Sequence, residues 1–288
     1  MTVLVTGATG SVGRHVVARL VAEGVPVRAL TRDPESAQLP PQAEVFTGDL
    51  TQPRTVVEAL RGVEKLYLFP VPETAGEVVA AAKEAGVRRI VVLSSASVLD
   101  ESGDNHSGEH HRIVEKAVEA SGIEWTFVRA DEFATNVLWK WSHSIQVEGV
   151  VRAPYGNAPR VLVHEKDVAA VAAAALLEDG HGGRAYIVTG PEAITQTDQV
   201  KAIAAATGRD IAFEEITPAQ AREQMGRFMP LPVVDMVLGY LADAVENPPV
   251  PADTVERITG RPALTFAQWA ADHAAGFAAA QDPAQAAA

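Results

Sequence analysis

Val3-Leu4-Val5-Thr6-Gly7-Ala8-Thr9-Gly10-Ser11-Val12-Gly13-Arg14 joins a short apolar run to an amphipathic stretch, with three glycines spaced G-x-x-G-x-x-G across the junction. A turn of this kind between strand and helix suits a pyrophosphate. Gly7 permits the tight turn, Gly10 lets backbone N–H groups approach the phosphates, and Gly13 lets helix pack closely on strand. The helix N-terminus adds the positive end of its dipole. Ala8, Thr9, Ser11 and Val12 complete the loop and belong to the same expected cofactor site. A glycine-rich turn can also be an ordinary strand-to-helix connection, so what surrounds it decides.

Outward from the turn, β-branched runs alternate with helical stretches: strands over 3–6, 27–31, 44–46, 65–69, 89–94, 125–129 and 185–188, and helices over 12–23, 55–60, 75–85, 112–120 and 167–177. This alternation predicts parallel strands joined by helical crossovers, a Rossmann-type doubly wound α/β sheet of about seven strands. The run 168–177, mostly alanine, is too short for the roughly 20 residues of a membrane span and reads as a buried helix. Two stretches break the alternation, and the expected division is a dinucleotide-binding domain over 1–130 and 163–190 and a smaller, discontinuous α+β C-terminal lobe over 131–162 and 191–277. That lobe is expected to cover the carboxyl ends of the strands, with a flexible tail over 278–288.

The chain carries 37 acidic and 24 basic residues, a net charge of −13, and no cysteine. Such a charge repels nucleic acid and anionic membrane surfaces. Absence of cysteine excludes disulfides, thiolate nucleophiles and zinc–thiolate sites. With the first strand pattern starting at Thr2 and no targeting segment in view, the expected setting is the cytoplasm.

The second strand ends in Thr31-Arg32-Asp33-Pro34. An NAD site usually places a carboxylate there for the ribose hydroxyls; here Arg32 offers a fork to a 2′-phosphate, which predicts NADP(H). Asp33 is either a rival ribose ligand or, ahead of Pro34, an N-cap. Asp49, followed by Leu50, ends the third strand at the adenine edge and is either an acceptor for the adenine amino group or a turn residue. Phe69, Pro70 and Val71 end the fourth strand, and Ser94 and Ser95 the fifth, both at the expected ribose and nicotinamide end.

These residues together resemble the NmrA-like group of atypical short-chain dehydrogenase/reductases, which includes NAD(P)H:quinone reductases. The resemblance rests on Val-Thr-Gly-Ala-Thr-Gly from Val5, Thr31 to Pro34, Gly48-Asp49-Leu50, Ser94-Ser95, His111 with Glu115, Ser121-Gly122, Trp125-Thr126, Arg129, Phe133 with Asn136, and Glu165 to Ala169. It spans most of residues 2–270. It implies an NADP(H) site and a substrate cleft, and it leaves the reaction open, since the group holds quinone, isoflavone-type and tailoring reductases as well as silent redox sensors.

Short-chain dehydrogenases usually donate the proton through Tyr-x-x-x-Lys. None of Tyr67, Tyr155, Tyr186 and Tyr240 has a lysine four residues on, and Arg112, four before Lys116, is a poor acid. Lys116 remains an expected cofactor residue. His111 occupies the place of a catalytic lysine in the isoflavone-reductase branch and is either a proton donor or a structurally hydrogen-bonded helix histidine. Ser95 is either a substrate partner or a plain turn serine. No metal site is expected: His106 precedes Gly108 and reads as loop, and no familiar ligand spacing is completed. In the lobe, Phe133, Asn136, Trp139 and Tyr155 are candidate substrate contacts. Trp139 and Trp141, two residues apart, cannot both face inward on one helix, and Met225, Phe228 and Met229 are either core or an adaptable cap.

The expected activity is NADPH-dependent hydride transfer to a small quinone-like or other conjugated aromatic substrate. The alternative is a silent NADP(H) sensor acting through a protein partner, and a homodimer is compatible with either.

Overall fold

The computed structural model describes residues 1–100 and 105–278. Seven strands form one parallel sheet: β1 (Val3–Val5), β2 (Val27–Thr31), β3 (Glu44–Thr47), β4 (Lys65–Leu68), β5 (Arg89–Ser95), β6 (Glu124–Ala130) and β9 (Arg184–Val188), in the order β3-β2-β1-β4-β5-β6-β9. The expected Rossmann-type sheet is present. Alternate side chains sort to its two faces. Leu4, Leu30, Leu66, Leu68, Ile90 and Val92 join one core with Val78, Val79, Val114 and Val118 of α3 (Ala75–Glu84) and α4 (His106–Ser121) and with Leu60 of α2 (Val57–Leu60). The opposite face is covered by α1 (Gly13–Ala22) and α6 (Glu165–Leu177). Both faces being covered explains why runs such as Ile90 to Leu93 are apolar without alternation.

Helix α6 is buried on every side from Val168 to Leu176, as its alanine-rich run predicts. Small side chains let it lie close against β4, β5 and β6. Opposite that helix, Tyr67 of β4 is 1% exposed, and among the described residues its hydroxyl meets no hydrogen-bond partner. Burial without a partner pushes the phenol pKa up.

The chain divides into two compact units. The first comprises Met1–Asp131, Glu165–Val188 and Asp253–Pro262; the second comprises Glu132–His164, Thr189–Ala252 and the chain from Ala263. The sequence pattern had placed all of 191–277 in the lobe, whereas the structure returns Asp253–Pro262, with α10 (Thr254–Thr259), to the first unit. Two long-range contacts account for this. Arg261 Nη2 pairs with Oδ1 of the fully buried Asp167 at 2.7 Å, and the Arg257 guanidinium lies 5.8 Å from the Tyr186 ring centroid. A carboxylate buried in the first turn of α6 requires a cation, and Arg261 supplies one. His106, expected in a loop, instead opens α4, because Oδ1 of Asn105 caps the helix by accepting from Gly108 N–H at 2.8 Å.

The second unit holds helices α5 (Asn136–Glu148), α7 (Gln196–Thr207), α8 (Pro218–Met225), α9 (Leu231–Glu246) and α11 (Phe266–Asp272). It has two small sheets. Strand β7 (Val150–Ala153) pairs parallel with β11 (Ala212–Glu215), and β8 (Pro159–Arg160) pairs antiparallel with β10 (Ile194–Thr195). Trp141, Ile145, Val200, Ile203, Phe266, Trp269 and Phe277 make its core. Met225 and Met229 pack against a separate cluster of Ala221, Val234 and Leu238, while Phe228 is 87% exposed. Among the described residues, no helix is long and apolar enough to cross a membrane. Apart from Ala278, the expected tail over 278–288 lies outside the described residues.

The unpartnered Tyr67 hydroxyl makes a direct test of the core. Tyr67→Phe is expected to leave stability unchanged or raise it by up to about 1 kcal/mol, since an unmade buried hydrogen bond is removed. Tyr67→Ala is expected to cost about 3–5 kcal/mol through the cavity it opens. Urea denaturation of the three proteins checks both.

Candidate functional site

The strand order reverses between β1 and β4, and in open α/β sheets ligands bind outside the carboxyl ends of the strands at such a point. Gly7 follows β1 there with φ 59°, and a Cβ on it would stand 3.0 Å from Phe69 Cβ. Thr6 ties the two strand ends together: its Oγ1 donates to the Tyr67 carbonyl at 3.0 Å and accepts from Phe69 N–H at 2.8 Å. A Cβ on Gly13 would lie 2.1 Å from the Gly7 carbonyl oxygen, so α1 begins directly against the end of β1. Gly10 is exposed, and a Cβ there would meet only the Gly7 oxygen, at 3.1 Å. No side chain caps α1. Gly10 N–H is taken by Gly7 and Arg14 N–H by Gly10, while among the described residues the N–H groups of Ser11, Val12 and Gly13 have no acceptor. Exposed space over Gly10 with unclaimed donors beside it fits a dinucleotide diphosphate. Val12 and Ala8 turn their side chains inward, leaving Thr9 and Ser11 at the surface side of the loop.

At the end of β2, Arg32 is exposed and, among the described residues, pairs with no carboxylate. Asp33 is occupied by its own turn. Its Oδ1 accepts from Glu35 N–H at 3.2 Å and Ser36 N–H at 3.4 Å, and Oδ2 from the Ser36 hydroxyl at 2.7 Å. The Ser36 hydroxyl leads in holding the Asp33 carboxyl below its usual range. No helix follows Pro34, so Asp33 closes a turn rather than capping a helix. Asp49 Oδ1 likewise accepts from Thr51 N–H at 2.9 Å, and this bond, with the charge of Arg32 assisting, lowers its pKa. The Leu50 side chain goes into the core, and the carbonyl of Leu50 accepts from Thr74. Phe69 is 42% exposed beside Gly7, Pro70 is buried, and Val71 packs on the main core.

Ser94 and Ser95 differ in role. The Ser94 hydroxyl is buried and donates to Glu115 Oε1 at 2.7 Å, and Arg129 grips the same carboxylate with Nε at 2.9 Å and Nη2 at 2.8 Å. The Arg129 guanidinium is held charged by Glu115, raising its pKa. Ser95 Oγ accepts from Ser97 N–H and from the Ser97 hydroxyl at 2.8 Å, closing the turn after β5. His111 is half-buried, with Nδ1 2.8 Å from the Ser107 carbonyl. A carbonyl only accepts, so Nδ1 carries the proton and Nε2 the lone pair in the neutral ring. Burial, with His110 assisting, pushes the His111 pKa below its ordinary value. Lys116 is exposed, about 100° round α4 from buried Glu115.

In the second unit, Trp139 is 63% exposed and Trp141 7%, the inward and outward pair that their spacing predicts. Phe133 bridges to Val163 just before α5, and half-buried Asn136 is the first residue of that helix. Tyr155 lies at φ 58°, a conformation costing a bulky residue about 1–3 kcal/mol. Gln196 Nε2 holds the turn by donating to the Pro154 and Tyr155 carbonyls at 2.7 and 2.9 Å.

Three participants were not read from the sequence. Thr6 is a common strand residue with no local signature. Glu115 and Arg129 carried a resemblance without a role, since their pairing joins α4 to β6.

A parallel sheet with this glycine turn at its switch point defines a Rossmann-type dinucleotide-binding protein. The NAD(P)H-binding family matches residues 7–179, and the chain belongs to that family. It is 42% identical over 288 residues to the (4-alkanoyl-5-oxo-2,5-dihydrofuran-3-yl)methyl phosphate reductase of Streptomyces griseus, covering 96% of this chain and 99% of that one. It is 36% identical to the NAD(P)H azoreductase of Xenophilus azovorans, over 96% of this chain and 100% of that one. The structure of an NADPH-dependent quinone oxidoreductase from Escherichia coli superposes with a TM-score of 0.76 at 26% identity, covering 94% and 99% of the two chains. These relatives agree with the NmrA-like resemblance.

Gly10→Val places a branched side chain where the diphosphate would approach, on an exposed turn. The variant is expected to keep its circular dichroism spectrum and to lose calorimetrically detectable binding of both NADPH and NADH. Wild-type affinity in this variant would displace the phosphate site from the turn.

Proposed function

We propose that the protein is an NADPH-dependent reductase that passes a hydride to a quinone-like or other conjugated, electron-poor acceptor. The observation that carries this is the pairing of an NAD(P)H turn with the lack of any Tyr-x-x-x-Lys relay in the sequence. An acceptor that takes hydride readily needs no strong acid beside it. An oxo-dihydrofuran, an azo bond and a quinone, the groups in the names of the three relatives, share that electron-poor character.

When bound, the dihydronicotinamide would supply the hydride, and the chain's residues would hold the cofactor. The turn over Gly7 to Gly13 receives the diphosphate, and Arg32 pairs with the 2′-phosphate that distinguishes NADPH from NADH. Asp33 and Asp49 accept hydrogen bonds within their own turns, and neither forms a salt bridge with Arg32 among the described residues, although the charge of Arg32 reaches Asp49 at longer range. Ser94, Ser95 and Phe69 to Val71, at or just after the ends of β5 and β4, would lie toward the ribose and nicotinamide, and Phe133, Asn136, Trp139 and Tyr155 are the substrate candidates. His111 is neutral at pH 7 and offers Nε2 as an acceptor, so the proton for the reduced oxygen comes from water at that pH. His110, whose ring is 5.3 Å away, and Glu115 are the charged or titratable groups that bear on it. Only the imidazolium can donate from Nε2, and it forms below a pKa that is itself below 6.5.

Two measurements check this. Arg32→Ala is expected to weaken NADPH by about 1.5–3 kcal/mol and leave NADH nearly unchanged in calorimetry. Equal losses would make Arg32 structural. In NADPH oxidation assays, naphthoquinones are expected to turn over and simple ketones to lag. Turnover by His111→Ala should match wild type above pH 7 and fall below it, by less than about 100-fold, only under pH 6.5. Fast ketone reduction, or complete loss in Lys116→Ala, would overturn the mechanism, and NADPH binding with no oxidation by any acceptor would favour the silent sensor.

A further inference from the structure

We propose that Arg14 is a second cation for the 2′-phosphate of NADP(H), acting beside Arg32 from the other wall of the same turn. This rests on the reading of the β2 end as the 2′-phosphate site. Arg14 is exposed, and among the described residues it forms no ion pair. Its one hydrogen bond runs from Nη2 to the Thr9 carbonyl at 2.7 Å, which draws the guanidinium back over the loop. The Thr9 hydroxyl in turn lies 3.5 Å from that of Thr31, the residue before Arg32. Arg14 is thereby tethered to the side of the turn that faces β2, whereas the unclaimed N–H groups of Ser11, Val12 and Gly13 mark the place for the diphosphate.

The charge balance calls for it. A phosphomonoester carries close to two negative charges at pH 7, and one guanidinium neutralises half of that. Residues 33–47 contain Asp33, Glu35 and Glu44 and no lysine or arginine, so the segment after Arg32 offers no further cation. Arg28 is engaged by Glu44 at 3.1 Å. Arg14 also opposes its own helix dipole, and α1 has no acidic residue in its first turn to offset it. A bound dianion turns that unfavourable placement into a favourable one. Nη2 keeps one N–H after the Thr9 bond, and with Nε–H or Nη1 beside it the guanidinium still presents a two-pronged edge to phosphate oxygens.

The test is calorimetric titration of wild type, Arg14→Ala, Arg14→Lys and Arg32→Ala with NADPH, NADH, adenosine 2′,5′-bisphosphate and 5′-AMP. Arg14→Ala is expected to weaken NADPH and the bisphosphate about 10-fold or more and to leave NADH and AMP within about 2-fold. Arg14→Lys, which keeps the charge and loses the fork, should fall between wild type and Arg14→Ala for NADPH. Equal weakening of NADPH and NADH would assign Arg14 to the diphosphate or to the turn itself and overturn the proposal, as would unchanged affinity for all four ligands. The Arg32→Ala column reads the underlying assignment separately. If it shows no selective loss while Arg14→Ala does, the Arg32 reading fails and Arg14 stands; the reverse removes Arg14 alone.

Discussion

Between Gly13 and the Gly7 carbonyl there is no room for a methyl group, since a Cβ would stand 2.1 Å from the oxygen. That close approach sets α1 directly on the end of β1, and the first unit is arranged around it. Uncapped N–H groups then face outward at the carboxyl edge, where the strand order reverses and where Thr6 fastens β4 to β1. Helix α1 also packs on α6, which can lie against three central strands because its inner face is alanine. A larger residue at either contact would lift a helix from the sheet and move the donors with it.

Much of this was legible because the signals are local. Glycine spacing, strand alternation and the alanine run 168–177 each report on residues a few positions apart. Trp139 and Trp141 divide between solvent and core because two residues on a helix cannot share a face. What escaped depends either on a partner far along the chain or on which of several local hydrogen bonds forms. Arg261 reads as an ordinary loop cation until Asp167 is seen buried beneath it, and residues 253–262 were therefore assigned to the wrong unit. His106 was misplaced because Gly108 looked like a helix breaker, whereas Asn105 caps the helix by bonding that glycine's N–H. Ser95 and Asp33 each take part in a short turn whose hydrogen bonds the sequence pattern does not spell out.

Charge is distributed with economy in a protein of net −13. Near the glycine turn the carboxylates are engaged by their own loops, and Arg14 and Arg32 form no salt bridge among the described residues, the charge of Arg32 reaching Asp49 only at longer range. Deeper, Glu115 and Arg129 neutralise each other in bidentate geometry and spend the Ser94 hydroxyl as well. That triad orders α4 against β5 and β6, so it fixes the backbone on which His111 is mounted. Ser107 then sets which ring nitrogen holds the proton.

The return of Asp253–Pro262 to the first unit bears on how the protein is made. A chain leaves the ribosome N-terminus first, and domains generally fold as units while synthesis proceeds. Here the sheet and its glycine turn are complete by Val188, yet the guanidinium that meets Asp167 arrives only at residue 261 of 288. During translation, the nascent first unit must wait for most of the second to emerge before α6 has its full set of partners. A gene shortened after β9 would yield every strand and the whole phosphate turn, but with the carboxylate of Asp167 deprived of Arg261.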